Sequence, residues 1–363
     1  MDGKRPPRAQ LLVDCAALRS NIKALTAGAP GCRILCVVKA DAYGMGTKIV
    51  VPALLKAGIR IFGVATLNEA EELRGCGAEV RLLSAVMPEE IPDAVAGNFT
   101  LPVIDPETAR LIDAESARQG KRAPVQLVID SGMGRVGIPL REAGETARQI
   151  LEFEHLRVTG FYSHFPKAEP GDRGTFEQIS GMKRLAAALK LPQCHIAASE
   201  GTLYFPEAVQ PPFDLLRLGI AMYGVMPAPG VRGAVKFVSR LAAFRDCPPG
   251  GTVSYGRLHT LARRTPVGTV AAGYADGVPV ALTNKGFFRV RGKLCPVLGR
   301  VTMDYTMIDL SAVPDARPGD EVELFTAGSG DALDPVNWAL FKRTHLWDIL
   351  CGIGPRVVRI GRE

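Results

Sequence analysis

The sequence predicts an α/β fold followed by an all-β fold: an N-terminal (β/α)8 barrel of the TIM type and a C-terminal β domain. Three observations lead to this prediction. The chain has 363 residues, enough for two domains of roughly 150 residues or more. Between residues 10 and 217, short apolar runs alternate with amphipathic segments of helical length. Beyond residue 233 the apolar runs are short, and turns rich in Gly and Pro separate them.

The alternation in the first part is typical of βαβ units with parallel strands. The predicted strands are Gln10–Val13, Ile34–Val38, Arg60–Val64, Val80–Val86, Leu101–Ile104, Val125–Ile129, Leu156–Phe161, Gln193–Ala197 and Phe213–Arg217. The clearest predicted helices are Ala16–Leu25, Glu69–Arg74, Pro106–Arg118, Arg141–Glu152 and Thr175–Lys190. No G-x-G-x-x-G follows the first strand, so a closed barrel is favoured over a doubly wound sheet.

A domain boundary is expected in the Pro- and Gly-rich segment Pro227–Gly233. We therefore assign residues 10–228 to the barrel and 229–363 to the β domain, and expect residues 1–9 to join the β domain. The predicted strands of that domain are Phe237–Phe244, Gly251–Tyr255, Gly268–Ala272, Phe288–Val290, Leu294–Val297, Tyr305–Leu310 and Glu321–Phe325.

Composition excludes several classes of function. The 44 Lys and Arg exceed the 37 Asp and Glu by seven, but the charges interleave, so we expect no nucleic-acid binding. No apolar run has the length of a membrane span, and the N-terminus does not resemble a signal peptide. The eight Cys lack a C-x-x-C pair and the five His are scattered, which predicts free thiols, no metal site and a cytoplasmic location.

Lys39 directly follows the apolar run Ile34–Val38. Catalytic residues of such barrels lie at the C-terminal ends of strands. An amine in an apolar barrel mouth has a lowered pKa and can bond covalently to a carbonyl group. The alternative is a lysine whose chain lies along the rim of the sheet with its amine in water. Tyr43, Gly44 and Gly46 then form a turn that could face a ligand.

Two further strand ends carry polar residues. Arg135 lies among three glycines in D-S-G-M-G-R-V-G after Val125–Ile129, where it could bind a carboxylate; the alternative is a surface arginine. His164 follows Leu156–Phe161, and a lone histidine there is more often structural than functional.

The last strands could bind a phosphate. Ser199 follows Gln193–Ala197. Arg217 ends the final predicted strand, and Gly219 and Ile220 follow it. Barrels commonly bind phosphate groups at this position, through backbone N–H groups.

Three motifs of the β domain are weak signals when taken singly. They are V-S-Y-G-R around Tyr255, G-Y-A-D-G around Tyr274 and G-R-V-T-M-D around Met303. Each is also compatible with an ordinary hairpin or turn.

Together the motifs resemble those of the alanine racemases, fold type III enzymes that use pyridoxal 5'-phosphate (PLP). V-V-K-A-D-A-Y-G-x-G around Lys39 resembles the PLP-lysine signature of that family. D-S-G-M-G-R-x-G, R-L-G-I-A-M-Y-G, V-S-Y-G, G-Y-A-D-G and G-R-V-T-M-D follow in the family's order and spacing. The resemblance covers nearly the whole chain.

The resemblance implies a homodimeric racemase that converts L-alanine to D-alanine for peptidoglycan. Lys39 would hold PLP covalently and act as one acid–base group, and Tyr255 would act from the partner subunit on the opposite face of the substrate carbon. Arg217 would contact the pyridine nitrogen, and His164 would lie against the cofactor and contact Arg217. The residues implied to bind the phosphate are Tyr43, Ser199, Gly219 and Ile220. Arg135 and the Met303 backbone would hold the substrate carboxylate, and Tyr274 would line the entrance.

Four positions depart from the family pattern. Met45 stands where a His is common, Ala198 where an Asn is frequent, and Pro355 where some members have a phosphate-binding Tyr. Val128 stands where many members carry a Lys that becomes carbamylated. The alternatives are therefore a racemase of serine or of a broad range of amino acids, a non-catalytic PLP carrier, and, more distantly, a fold-related decarboxylase.

Overall fold

A computed structural model describes residues 6–29 and 31–363. The chain forms two compact units. The α/β unit comprises Ile22–Ala42 and Leu54–Ala221. The β unit comprises Tyr43–Ala53, Met222–Glu363 and the described residues up to Asn21.

The strands and helices are numbered in chain order. The strands are β1 (Gln10–Asp14), β2 (Arg33–Val37), β3 (Ile61–Val64), β4 (Glu79–Leu82), β5 (Leu101–Val103), β6 (Ala123–Asp130), β7 (Ile138–Pro139), β8 (Leu156–Tyr162), β9 (Cys194–His195), β10 (Leu215–Leu218), β11 (Val235–Cys247), β12 (Thr252–Val253), β13 (His259–Thr260), β14 (Thr265–Val270), β15 (Phe287–Val290), β16 (Lys293–Leu298), β17 (Thr306–Asp309), β18 (Glu321–Thr326) and β19 (Val358–Arg362). The α-helices are α1 (Cys15–Thr26), α2 (Thr47–Lys56), α3 (Leu67–Glu72), α4 (Ile91–Ala96), α5 (Pro106–Arg118), α6 (Ala143–Leu151), α7 (Arg173–Leu189), α8 (Ser199–Tyr204), α9 (Pro335–Lys342) and α10 (Leu346–Cys351).

The α/β unit contains two sheets of parallel strands. Their orders are β10-β2-β3-β4 and β5-β6-β8-β9, and β7 pairs with β6. Backbone hydrogen bonds also cross both gaps between the sheets. Leu82 N donates to Thr100 O (3.0 Å) at one gap, and Asp214 N donates to Cys194 O (3.1 Å) at the other. The predicted alternation of strands and helices is thus confirmed for residues 33–218.

Local sequence explains these elements. Strand β6 is buried along nearly its whole length, as expected for a strand covered on both faces. Helix α5 has the predicted bounds because Asp105 accepts a hydrogen bond from Thr108 N and Pro106 occupies the first turn. Candidate site residues follow the C-terminal ends of these strands. Asp130, for example, ends β6, and Leu218 ends β10.

The β unit is built on a β-barrel. Its larger sheet has the order β14-β17-β16-β15-β18-β11-β1-β19, and a further pairing between β14 and β11 closes the first six strands. The assignment of Gln10–Val13 to the N-terminal barrel was wrong. Strand β1 pairs antiparallel with β11 and parallel with β19, both in the β unit. The helix that follows β1 made it look like a βα unit, and the partner strands cannot be read from the local pattern.

The chain before β1 also lies along the β unit. Arg8 O accepts a hydrogen bond from Ser239 Oγ (3.0 Å), and Ala9 O accepts one from Val358 N (3.2 Å). Residues 1–5, which we expected to join the same domain, lie outside the described residues.

The prediction that the C-terminal domain is purely β was also wrong, because α9 and α10 lie within it. Asp334 caps α9 by accepting from Val336 N (3.1 Å), and Pro335 follows directly. Trp338 of this helix is 1% exposed and packs against the rings of Phe237 and Phe325. The helix therefore forms because it covers the apolar side of the sheet. No helix in the described part of the chain has the length and apolarity of a membrane span.

Candidate active site

Lys39 follows β2 and begins an unusual backbone segment. The φ angles of Ala40, Asp41, Ala42 and Tyr43 are 53°, 51°, 56° and 59°, all in the left-handed region. Left-handed backbone costs a residue with a Cβ about 1–2 kcal/mol, so neighbouring groups must hold this turn. Ala40 N donates to Glu69 Oε1 (2.7 Å), which is one such contact. The turn predicted after Lys39 is therefore a defined left-handed turn.

Gly44, the next residue, requires glycine for two reasons. Its φ is +81°, and a Cβ there would lie 2.5 Å from Leu350 O. Its carbonyl oxygen accepts a hydrogen bond from Arg359 Nε (3.0 Å). Arg359 was missed as a positioning residue, although the C-terminal motif G-P-R-V-V-R contains it.

Arg217 is buried at 4% exposure near the end of β10. Its Nη2 donates to Ser163 O (2.8 Å) and Ile196 O (2.9 Å), and it contacts His164 Nδ1 (3.2 Å). Its Nη1 lies 2.6 Å from Nδ1 of His195, a residue that the sequence interpretation missed. The structure thus brings Arg217 and His164 together.

His164 is held neutral by its surroundings. Its pKa is lowered to about 3, chiefly by burial and then by the positive charges of Arg217, Arg135 and Lys39. Since a guanidinium can only donate, His164 Nδ1 is the acceptor in the contact with Arg217. The site therefore contains a neutral imidazole beside several cations.

Two of the predicted phosphate-binding residues, Ser199 and Gly219, are in contact through Ser199 Oγ. This atom accepts long hydrogen bonds from Gly219 N (3.3 Å) and Ala221 N (3.4 Å), on either side of Ile220. Adjacent backbone N–H groups directed to one point form a site suited to an anion. Ala221 was missed because only its backbone N–H takes part, and a methyl side chain does not indicate a binding role.

The loop after β6 is organised by Asp130 rather than by Arg135. The Asp130 carboxylate accepts hydrogen bonds from Gly132 N (2.9 Å) and Gly134 N (3.0 Å). Arg135 itself is exposed, and within residues 6–29 and 31–363 its guanidinium forms no hydrogen bond or ion pair. Val128 is 7% exposed on the same strand.

The three site residues predicted in the β unit are exposed. The exposed fractions are 69% for Tyr255, 46% for Tyr274 and 51% for Met303. Hydrogen bonds join their loops, since Tyr274 N donates to Thr302 O (2.9 Å) and the Ser254 hydroxyl donates to Arg300 O (2.6 Å).

Arg356 fixes two of these loops and was missed by the sequence interpretation. Its guanidinium contacts both carboxylate oxygens of Asp276 (3.1 and 3.0 Å) and Asp304 Oδ1 (2.8 Å). Asp276 belongs to the motif around Tyr274, and Asp304 follows Met303. One arginine thus connects the loops that carry the two exposed residues.

Comparisons with known proteins identify the family of this chain. Residues 13–227 match the family model "Alanine racemase, N-terminal domain", and residues 234–361 match "Alanine racemase, C-terminal domain". An alanine racemase of Symbiobacterium thermophilum is 36% identical over 99% of this chain and 98% of its own length.

Solved structures of alanine racemases are also similar to this chain. The alanine racemase of Streptomyces lavendulae has a TM-score of 0.91 and 32% identity, covering 99% of this chain and 98% of that one. The alanine racemase of Bartonella henselae, solved with covalently bound pyridoxal phosphate, has a TM-score of 0.89 and 26% identity, covering 98% of this chain and 100% of that one. The resemblance seen in the sequence motifs is confirmed, and the chain belongs to the alanine racemase family.

Proposed function

We propose that the protein interconverts L- and D-alanine with PLP, using Lys39 and Tyr255 as acid–base groups on opposite faces of the substrate carbon. The racemase activity is supported by the family match, which extends over both units. The cofactor, the two-base mechanism and the individual residue roles are the further parts of the proposal.

We propose that the α/β unit is a closed (β/α)8 barrel, with the domain boundary between residues 228 and 229. The hydrogen bonds across both gaps between its two parallel sheets support closure, because each joins strands that are neighbours in such a barrel. The boundary lies between the ranges that the two family models match.

The residues present fit PLP. The N–H groups of Gly219 and Ala221 both point to Ser199 Oγ, an arrangement that suits an anion. Ser199, Gly219, Ile220 and Tyr43 would bind the phosphate. Arg217 would face the ring nitrogen as a permanent cation, with the neutral His164 beside it. PLP, when bound, withdraws electrons from the bond between the substrate's α-carbon and its hydrogen. Lys39 would hold it covalently.

The protein's residues then move the proton. Lys39 would remove or return it on one face, and the Tyr255 hydroxyl would do so on the other. Because the two groups act on opposite faces, they invert the configuration of the substrate's α-carbon without moving the substrate. Arg135 and the Met303 backbone would hold the carboxylate, and Tyr274 would line the entrance.

We propose that the active protein is a homodimer in which Tyr255 and Met303 complete the partner's site. The exposure of Tyr255, Tyr274 and Met303 supports this, because exposed apolar residues with connected loops are typical of interaction surfaces. All eight cysteines are free, which supports a reducing cytoplasm, where D-alanine would be made for peptidoglycan.

Chiral analysis of the purified protein tests this function. Incubation with PLP and either enantiomer of alanine is expected to give the same near-equal mixture, and the protein should absorb at roughly 420 nm through its bound cofactor. Inversion of serine but not of alanine would favour the alternative substrate. Cofactor absorbance without inversion of any amino acid would favour a PLP carrier.

Val128 gives a prediction about anions. Because valine cannot be carbamylated, we expect bicarbonate to leave the activity unchanged. Arg135 is exposed, so water or a dissolved anion such as chloride can solvate it.

The matched variant is Val128→Lys, in which bicarbonate is expected to stimulate activity. The measurement is the initial rate with and without bicarbonate, with chloride titrated separately. Bicarbonate dependence of the wild type, or a carbamate found on one of its lysines by mass spectrometry, would contradict the assignment of this loop.

A further inference from the structure

We propose that a chain of hydrogen bonds, buried except at one glutamine, positions Arg217 and fixes the tautomer of the histidine beside it. This core chain consists of Arg81, Gln193, Gln126, His195 and Arg217. Arg81, Gln193 and Gln126 thereby become positioning residues, although none of them belongs to the predicted site. The inference rests on the proposed function only in the role of Arg217 toward PLP.

The core chain is continuous. Arg81 Nη1 and Gln126 Nε2 each lie 3.0 Å from Gln193 Oε1. His195 Nε2 lies 3.1 Å from Gln126 Oε1, and Arg217 Nη1 lies 2.6 Å from His195 Nδ1. Arg81, Gln126, His195 and Arg217 are all at most 4% exposed. Gln193 is only partly buried. Water cannot readily replace the bonds among the four buried side chains, and losing one of those bonds leaves a buried polar group unsatisfied.

The direction of each bond follows from the arginine at one end. A guanidinium only donates, so the Gln193 atom facing Arg81 is the carbonyl oxygen. Gln126 must then present its NH2 group to Gln193 and its own oxygen to His195. An amide oxygen only accepts, so His195 Nε2 carries a proton.

The arginine at the other end requires the same tautomer. Arg217 donates to His195 Nδ1, which must therefore be unprotonated. Burial, followed by the charges of Arg217, Arg81 and Arg33, lowers the pKa of His195 well below its usual value. His195 is thus neutral, with its proton on Nε2, and does not compete with Arg217 for an anion or an acceptor on a ligand.

Neighbouring side chains hold the core chain in place at His195 and at Arg81. Tyr162 stacks on the His195 ring, with ring centroids 5.0 Å apart and planes within 6°. At the other end, Glu79 accepts from Arg81 Nε (2.8 Å) and Nη2 (3.2 Å) and from Thr100 Oγ1 (2.9 Å). Because the His195 ring and the Arg81 side chain are held in place, we expect the loss of the Gln193 hydrogen bonds to change the position of Arg217.

Nitrogen NMR of the full-length protein labelled with 15N-histidine tests the tautomer. The His195 signals are assigned by their loss in His195→Asn. We expect Nε2 to resonate as a protonated nitrogen and Nδ1 as an unprotonated one, at pH 7 and at pH 6. A proton on Nδ1, or on both nitrogens, would overturn the proposal. This readout does not depend on catalysis, so it remains decisive if the protein proves not to bind PLP.

Gln193→Met tests the positioning role, because Gln193 is separated from Arg217 by three hydrogen bonds of the core chain. We expect the alanine turnover to fall roughly 10- to 100-fold, with a shifted PLP absorption maximum and little change in KM. The matched control is Gln119→Met, which also removes a partly buried glutamine whose amide forms two hydrogen bonds. A folded Gln193→Met protein with wild-type turnover and absorption would refute the positioning role. If this variant fails to fold, the wild-type tautomer still decides the proposal.

Discussion

Lys39→Ala is expected to abolish both racemisation and covalent capture of PLP. Lys39 follows strand β2 and directly precedes the left-handed turn, in which Ala40 N donates a hydrogen bond to Glu69. Alanine retains the backbone but lacks the amine, so neither the covalent bond nor one of the two proton transfers can occur. The expected loss of turnover exceeds the roughly 10²–10⁴-fold that an acid–base group alone contributes. The measurement combines chiral analysis with borohydride reduction and peptide mapping.

The matched control is Lys48→Ala, nine residues along the chain and exposed to solvent. It should keep wild-type turnover and an unchanged pyridoxyl peptide. A pyridoxyl group on any lysine other than Lys39 in the reduced wild-type protein would show that the site is assigned incorrectly.

Tyr255→Phe is expected to affect the two enantiomers unequally. The phenol hydroxyl would serve one face only, and Tyr255 is 69% exposed, so its loss should leave the fold and PLP binding intact. Racemisation should fall roughly 10²–10⁴-fold. In D2O, exchange of the α-hydrogen should survive for the enantiomer handled by Lys39 and be lost for the other. The measurement is deuterium incorporation into each enantiomer by mass spectrometry.

Tyr305→Phe is the control, because Tyr305 is another exposed tyrosine of the β unit without a proposed role in proton transfer. It should racemise at close to the wild-type rate. Equal loss of exchange from L- and D-alanine in Tyr255→Phe would rule out the assignment of the two groups to opposite faces.

The sequence predicted individual helices and strands better than it predicted which strands pair with each other. Helix α5 has the predicted bounds because its capping residues are adjacent in sequence. The pairing of β1 with β11 and β19 joins strands more than 200 residues apart, and no local pattern records it. Helix α9 begins with the same Asp-Pro pair as α5, and the sequence interpretation missed it although this local signal was present. Its packing of Trp338 against Phe237 and Phe325 is not visible in the local sequence.

The same division holds for the site. Lys39, Arg217 and Ser199 were predicted as candidates because reactive or charged side chains stand at or after the ends of predicted strands. His195, Arg356 and the core chain could not be found in this way. Their roles depend on which side chains the fold brings within hydrogen-bonding distance, as with His195 Nδ1 and Arg217.

The central claim is that each active site combines Lys39 of one protomer with Tyr255 of the partner subunit. Complementation between two inactive variants tests it most directly. Lys39→Ala and Tyr255→Phe chains with different tags are co-expressed, and the hybrid dimer is purified through both tags. That dimer contains one intact site and one doubly altered site, so the account predicts about half of the wild-type turnover per dimer. A hybrid dimer no more active than its parents would contradict the shared site.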